Sequence, residues 1–301
     1  MSTATSPRRQ ATFVDARGLA EAIATLREHG PRVTILAGGT DLMVQYIRGD
    51  VQPEILLHVR RLEELKGIVC GSRTEIGAVT THWQIASRAE IRTSNPALAE
   101  ASALVGSRQT QNVGTLAGNV VNASPASDLL PVLLISDATV TLLSATTTRE
   151  LPVGDFVVGR RATTRQQDEL VIKLSLEPIG ARTGETYLKI GRRGAMEVAI
   201  VGLAARLTFD EDGAVTRARI AVCSAASKVF RALEAEQRLL GSTLDEETIR
   251  EAGELVRRTA SPINDARATA DYRLRLLAPL IRRAVYACRE QSARQTVVGT
   301  A

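Results

Sequence analysis

Ala37-Gly38-Gly39-Thr40-Asp41-Leu42 follows a short run of β-branched and apolar residues, 33–37, that reads as a buried strand. Glycines placed directly after a strand permit positive φ and let a ligand approach the bare backbone. Successive N–H groups in such a turn can form a concave nest for an anion. Thr40 and Asp41 add a hydroxyl and a carboxylate, and an apolar segment, 42–47, follows. The spacing is neither GxGxxG nor GxxxxGK[ST], so the Rossmann and P-loop readings fail. By itself the hexapeptide is better read as a tight strand-to-helix turn.

A second stretch shifts that balance. Asn112-Val113-Gly114-Thr115-Leu116-Ala117-Gly118-Asn119 runs on to Asn122-Ala123-Ser124-Pro125-Ala126-Ser127-Asp128. It gathers glycines, asparagines and hydroxyl residues with a single carboxylate, and many backbone and side-chain donors suit the oxygens of a pyrophosphate. Asp128 can accept from hydroxyls, which makes a ribose or ribityl group its natural partner. A solvated loop is the plain alternative. However, Val113, Leu116, Val120, Val121, Leu129 and Leu130 flank the polar groups, and buried polar groups need partners. A third feature is Lys189 within Tyr187-Leu188-Lys189-Ile190-Gly191-Arg192-Arg193. A strand-like setting could bring its cation to a phosphate or an electron-rich ring; otherwise it is a surface lysine.

Outward from these stretches the chain alternates short strands and helices. Residues 16–29 are apolar at helical spacing and stop at Gly30-Pro31, a strong terminator. Strands are read at 54–59, 75–79, 139–143 and 170–176, and helices at 97–105 and from the cap Thr81 through residue 89. Residues 106–128 are read as a polar stretch, 159–169 as a loop and 178–184 as a linker. Beyond it, 199–209 and 215–222 flank Asp210-Glu211-Asp212-Gly213, a hairpin signal. Helical patterns follow at 229–240, 246–259 and 269–290, the last with Leu274, Leu277, Leu280, Ile281 and Val285 on one stripe. Strands first and helices later make this half α+β. The expected division is residues 8–178 and 184–290, with 291–301 a disordered tail.

The chain has 301 residues, enough for two domains, and 44% hydrophobic with 24% charged residues is ordinary for a globular protein. Aromatics make up only 3%, so the core must be aliphatic. The longest apolar run, near 129–135, is far short of the ~20 residues that span a bilayer. Residues 1–10 are polar and basic with no apolar stretch of the kind a secretory leader needs, so a cytoplasmic location is expected. Three separated cysteines with no CxxC or His/Cys cluster exclude the usual zinc and iron–sulfur patterns. The net charge of +5 raises nucleic-acid binding. The arginines are nevertheless spread among Asp and Glu, without interleaved aromatics, so a solvated basic surface is the better reading.

Together these motifs closely resemble the FAD-binding, or medium, subunit of the molybdenum hydroxylases, the carbon monoxide dehydrogenase and xanthine dehydrogenase superfamily. Glu75-Ile76-Gly77-Ala78 and Tyr187-Leu188-Lys189 through Arg193-Gly194-Ala195 fall in the same order, and the resemblance runs roughly from Phe13 to Arg289. It implies an α+β fold: a two-subdomain FAD-binding domain of the vanillyl-alcohol-oxidase (p-cresol methylhydroxylase) type, then a smaller α+β domain of antiparallel sheet and helices. It implies non-covalent FAD. Ala37, Gly38, Gly39, Thr40 and Asp41 would hold the pyrophosphate together with Thr115, Ala117, Gly118 and Asn119, and Leu42 and Gly114 belong to the same cofactor-binding set. Asn122 and Ser124 would lie near phosphate or ribose, and Asp128 would bind a cofactor hydroxyl. Leu170 or Val171 would pack near the isoalloxazine, and Lys189 would approach it.

The resemblance further implies an oxidoreductase component that carries no catalytic residue or metal of its own. Electrons would come from iron–sulfur clusters on a small two-iron-two-sulfur subunit, the substrate would be oxidised on a large molybdopterin subunit, and the assembly would be a dimer of heterotrimers. The lack of any nucleophile–base pair agrees with a relay. A stand-alone flavin oxidase, or a flavin-free scaffold, is the rival; bound flavin and turnover by the chain alone would separate them. Two positions depart from the family pattern. Ala117 stands where the second loop usually has glycine, which costs about 1 kcal/mol if positive φ is needed. Gln111 stands where arginine is frequent. No histidine matches a covalent-flavin position, and the cysteines for an extra iron–sulfur loop are absent.

Overall fold

The computed structural model describes residues 10–194 and 196–298. Residues 1–9, from which the absence of a leader was read, lie outside the described residues, as do Ala195 and 299–301.

Three layers of secondary structure follow one another along the chain. The first is a parallel sheet in the order Thr12–Asp15, Ile55–His58, Val33–Leu36. Helix Leu19–His29 makes its first crossover and buries Ala22, Ile23 and Leu26, the stripe its spacing predicts. Gly30 ends it at φ 40°, a conformation a β-carbon would oppose. The second crossover contains the Gly38–Asp41 turn and helix Leu42–Arg48. An antiparallel sheet comes next, ordered Ile68–Cys70, Thr74–Gly77, Leu170–Leu176, Thr139–Leu143, Thr148–Pro152. Six short helices lie in the chain between Thr74–Gly77 and Thr139–Leu143, and two of them, Pro96–Ala103 and Leu129–Ile135, pack against strands of a third sheet. These two layers correspond to the two subdomains that the resemblance implies for the first part of the chain.

The third layer is an antiparallel sheet, Thr183–Ile190, Val201–Phe209, Val215–Cys223 and Phe230–Arg231. It is backed by helices Leu233–Leu239, Glu246–Thr259 and Ala270–Val298. One apolar cluster fills this layer, with Leu203, Ile220, Val256, Leu277 and Ile281 at its centre. The other fills the first two layers and takes in Tyr187, Ala204, Ala221 and Cys223 from the opposite face of the third. The third sheet is therefore buried on both sides. Among the described residues no helix is long and apolar enough to cross a membrane.

Several expectations need correction. Residues 106–128, read only as a polar stretch, hold helices Arg108–Val113 and Leu116–Asn122, nucleated by the capping side chains of Ser107 and Thr115. Residues 159–169 include a small hairpin, Val157–Gly159 with Ala162–Thr163. The helix expected from 229 begins only at Leu233, because Phe230–Arg231 pairs with Ala221 and Val222. The Thr81-capped helix stops at Ser87, where Arg88 turns extended and a second helix, Ala89–Ser94, starts. The tail expected from 291 is helical to Val298. It is held because Gln291 accepts the Glu185 backbone N–H at 2.7 Å and Ser292 is buried.

Candidate functional site

Main-chain contact joins the two glycine-rich stretches. Gly38 lies so close to the second stretch that a Cβ there would overlap the Val113 carbonyl and the Gly114 Cα. The second stretch is in turn strapped to residues 78–82: His82 N–H donates to Gly114 O (3.1 Å), Leu116 N–H to Thr80 O (3.0 Å) and Ala117 N–H to Ala78 O (3.2 Å). Gly114 also admits the His82 ring, which would lie 3.0 Å from a Cβ. Gly39 has φ 69°. Among the described residues, the first backbone N–H from Gly38 onward with an acceptor is that of Met43, on Gly39 O at 3.0 Å. The turn thus offers its N–H groups to something outside the chain, as an anion nest does.

A cavity of ≈ 610 Å³ opens on this turn, within the size range of cofactor sites. Ala37, Gly38, Gly39, Thr40, Asp41 and Leu42 line one side, and Thr115, Ala117, Gly118, Asn119, Asn122, Ser124 and Asp128 the other. Leu170 and Val171 reach it from the central strand of the second sheet. Two of the expected residues stand behind the wall. Gly114 supports His82. Lys189 does not line the cavity itself and donates to Asp128 Oδ2, on its wall, at 2.7 Å and to Leu104 O at 3.0 Å. The other Asp128 oxygen accepts from Tyr187 Oη at 2.6 Å. Burial raises the Asp128 pKa, against the pull of Lys189 and Tyr187.

The helix that follows Thr115 uses its own first N–H groups. Besides Leu116 and Ala117, Gly118 N–H is taken by the Thr115 hydroxyl at 3.2 Å. The donors on this side are therefore side chains. Ser127 Oγ donates to Asn119 Oδ1 at 2.5 Å, which leaves the Asn119 amide nitrogen to the cavity side. Ala117 lies inside Leu116–Asn122 and is absent from the positive-φ residues, so alanine there costs no backbone strain. The left-handed position is Ala123, φ 45°. Gln111 faces the other way and donates to Ala103 O at 2.8 Å.

Several lining residues carried no signal in the sequence. His82 is 3% exposed and its Nδ1 has no partner; burial lowers its pKa to about 4, so it is neutral at physiological pH. Nothing in Thr80-Thr81-His82 marks it, because it is placed by the strap to Gly114. Arg165 and the segment Met196-Glu197-Val198 also reach the wall. At Asp41, desolvation by the surrounding protein raises the carboxyl pKa, opposed by Arg161 and by a hydrogen bond with Asn122. Among the described residues no group of three or more His, Cys, Asp or Glu could hold a metal.

A non-Rossmann glycine turn, a second polar wall and an apolar strand around one cavity define a dinucleotide-binding subunit with an appended α+β domain. Comparison with known proteins identifies which. Residues 9–176 match the model of the FAD binding domain in molybdopterin dehydrogenase, and residues 186–288 that of the CO dehydrogenase flavoprotein C-terminal domain. The chain belongs to this family of molybdenum hydroxylase FAD subunits, and FAD is the family's cofactor. It is 31% identical to the glyceraldehyde dehydrogenase medium chain of Sulfolobus acidocaldarius, over 87% of this chain and 92% of that one. It is 29% identical to 6-hydroxypseudooxynicotine dehydrogenase complex subunit alpha of Paenarthrobacter nicotinovorans, over 90% and 92%. In structure it superposes on carbon monoxide dehydrogenase from Hydrogenophaga pseudoflava with a TM-score of 0.89, at 28% identity, covering 93% of this chain and 97% of that one.

Proposed function

We propose that this chain holds FAD in the cavity between the Gly38–Asp41 turn and Leu170–Val171, and relays electrons from iron–sulfur clusters on a small partner subunit to an external acceptor. A large molybdopterin subunit oxidises the substrate, and the three chains form a dimer of heterotrimers in the cytoplasm. Residues 8–178 act as the FAD-binding unit and 184–290 as the flavoprotein C-terminal unit. The observation that carries this reading is the convergence of the two glycine-rich stretches on one cavity, with the N–H groups of the first still unspent.

FAD, once bound, supplies the switch between single-electron and paired-electron transfer. This chain's residues do the holding. The Gly38–Asp41 N–H groups meet the pyrophosphate, with Thr40 and the Asn119 and Asn122 amides beside it. Ser124 and the second lone pairs of Asp128 meet cofactor hydroxyls. Lys189 would work through Asp128, its charge opposing the burial that raises that carboxyl's pKa and its hydrogen bond aiming the group. Leu170 and Val171 exclude water from the ring's face.

The test is co-purification of the tagged full chain from its native host, with a visible spectrum and identification of the accompanying chains. FAD released on denaturation, together with iron–sulfur and molybdopterin subunits, supports the relay. FAD without partners, and turnover by the chain alone, moves the assignment to a stand-alone oxidoreductase. A chain that neither retains nor takes up FAD sinks the proposal.

A further inference from the structure

The carboxylates around the cavity, Asp41, Asp128 and Glu197, carry their own cations: Arg161 acts on Asp41, Lys189 bridges Asp128, and Arg192 and Arg193 pair with Glu197. Among the described residues the lining itself has a single Lys or Arg, Arg165. Lys189, the cation expected from the sequence, is consumed by Asp128 and Leu104 O behind the wall.

Arg165 is held without being neutralised. Its Nη1 donates to Gln166 O and Glu169 O, both at 2.8 Å, and both acceptors are main-chain carbonyls. The nearby Glu169 carboxylate is committed elsewhere. It receives Arg149 Nε at 2.6 Å, Arg149 Nη2 at 2.8 Å and the Gln166 N–H at 2.7 Å. Arg149 also ties Thr164 O at 2.8 Å, so both ends of the 164–169 loop are clamped. The clamp fixes the Arg165 backbone and leaves the rest of its guanidinium fork to the cavity. Burial pulls the Arg165 pKa down, opposed by the charges of Glu169 and Asp168. A half-buried guanidinium whose donors are not spent on a carboxylate is costly unless an anion completes it, and its fork suits phosphate and other planar or multidentate acceptors.

We infer that Arg165 is the cation that meets the negative charge of bound FAD in this chain. The inference rests on the proposal that FAD occupies the cavity. It reassigns the electrostatic role from Lys189, on the third sheet, to a loop leading into Leu170–Leu176. The negative charge is that of the pyrophosphate or that gathered on the ring on reduction, and the test separates the two.

The experiment uses the full chain freed of flavin, as wild type, Arg165→Gln and Arg165→Lys, with the thermal melting of each recorded. FAD and ADP dissociation constants and the flavin midpoint potential are measured. R165Q is expected to weaken FAD about tenfold, the usual scale for a partly buried charge-assisted contact, while R165K stays within about threefold. An equal loss for ADP, with the potential unchanged, places Arg165 on the pyrophosphate. Unchanged ADP affinity with tenfold selective loss of the reduced form, a fall of about 30 mV for a two-electron couple, places it at the ring. Either supports the inference. FAD and ADP affinities within about twofold of wild type, with an unchanged potential, overturn it. Equal losses in R165Q and R165K with lowered melting also overturn it, because the side chain is then only a loop brace. A wild-type chain that binds no FAD overturns the underlying function instead.

Discussion

At the residue scale the site depends on side chains that are missing as much as on those present. Gly38 is required because the Val113 carbonyl occupies the space of a Cβ, and backbone, unlike a flexible side chain, has nowhere to go. Gly38→Ala should cost about 1–3 kcal/mol, the usual range for overpacking, and abolish FAD uptake. Thermal melting and flavin fluorescence titration read both effects, and a variant that melts and binds like wild type would contradict the close approach. His82 gives the site a pH response. In the unfolded chain the imidazole titrates near 6.5 and in the folded chain near 4, so the unfolded state takes up the proton first as pH falls. Its contribution to stability is complete above pH 6.5 and is lost progressively down to about pH 4, on the order of 3 kcal/mol. His82→Gln should flatten the melting temperature over that interval relative to wild type. A variant with an undiminished slope there would remove His82 as the cause.

At the scale of elements, order along the chain was legible and edges were not. Strands such as Val33–Leu36 and Leu170–Leu176 announce themselves by β-branched runs, and the hairpin at Asp210–Gly213 by its turn residues. The polar stretch around Thr115 hid two helices, because Ser107 and Thr115 cap them and Gly114, Leu116 and Ala117 are strapped onto residues 78–82, contacts that no local pattern announces. Likewise the site residues carried by local motifs could be read, whereas Arg165 and His82 could not, since their position depends on contacts distant in sequence. The final helix shows the same limit. Residues past 290 look polar and uncommitted, yet Gln291 reaches back to the Glu185 N–H, and a Cβ at Gly184 would overlap the Cys288 carbonyl. Truncation after Glu290 should therefore cost about 1–3 kcal/mol, the penalty for an orphaned buried donor. Equal melting of the truncated and full chains would show that the tail contributes nothing.

At the scale of the molecule, the third layer is joined to the first two by buried charge, and that joint passes beside the cavity. Glu185, fully buried, receives the Ala97 N–H at 3.0 Å and Arg206 Nε at 2.8 Å; Arg206 also donates to Ser136 Oγ at 2.9 Å and to Glu177 O at 3.1 Å. Arg219 reaches Ile135 O and Glu177 from the neighbouring strand, and Tyr187 and Lys189 grip Asp128 on the cavity wall. Burial raises the Glu185 pKa against the opposing pull of Arg206, so the pair is held by its geometry and not by ease of ionisation. Removing one partner leaves the other charged and unpaired in the interior, which costs about 3–5 kcal/mol, whereas removing both is far less damaging. Glu185→Leu should therefore be strongly destabilising and Glu185→Leu/Arg206→Met markedly less so than Glu185→Leu alone. The chain's single tryptophan, Trp83, lies in the FAD-binding layers, so its fluorescence follows them while far-UV circular dichroism follows the whole. In the wild type the two transitions should coincide. In Glu185→Leu the third layer should loosen first, separating them and releasing flavin at the earlier one as Tyr187 and Lys189 let go of Asp128. Coincident transitions in that variant, with flavin retained to the end, would mean that the layers are coupled by apolar contact alone and that the buried ion pair has no part in presenting Asp128 to the cofactor.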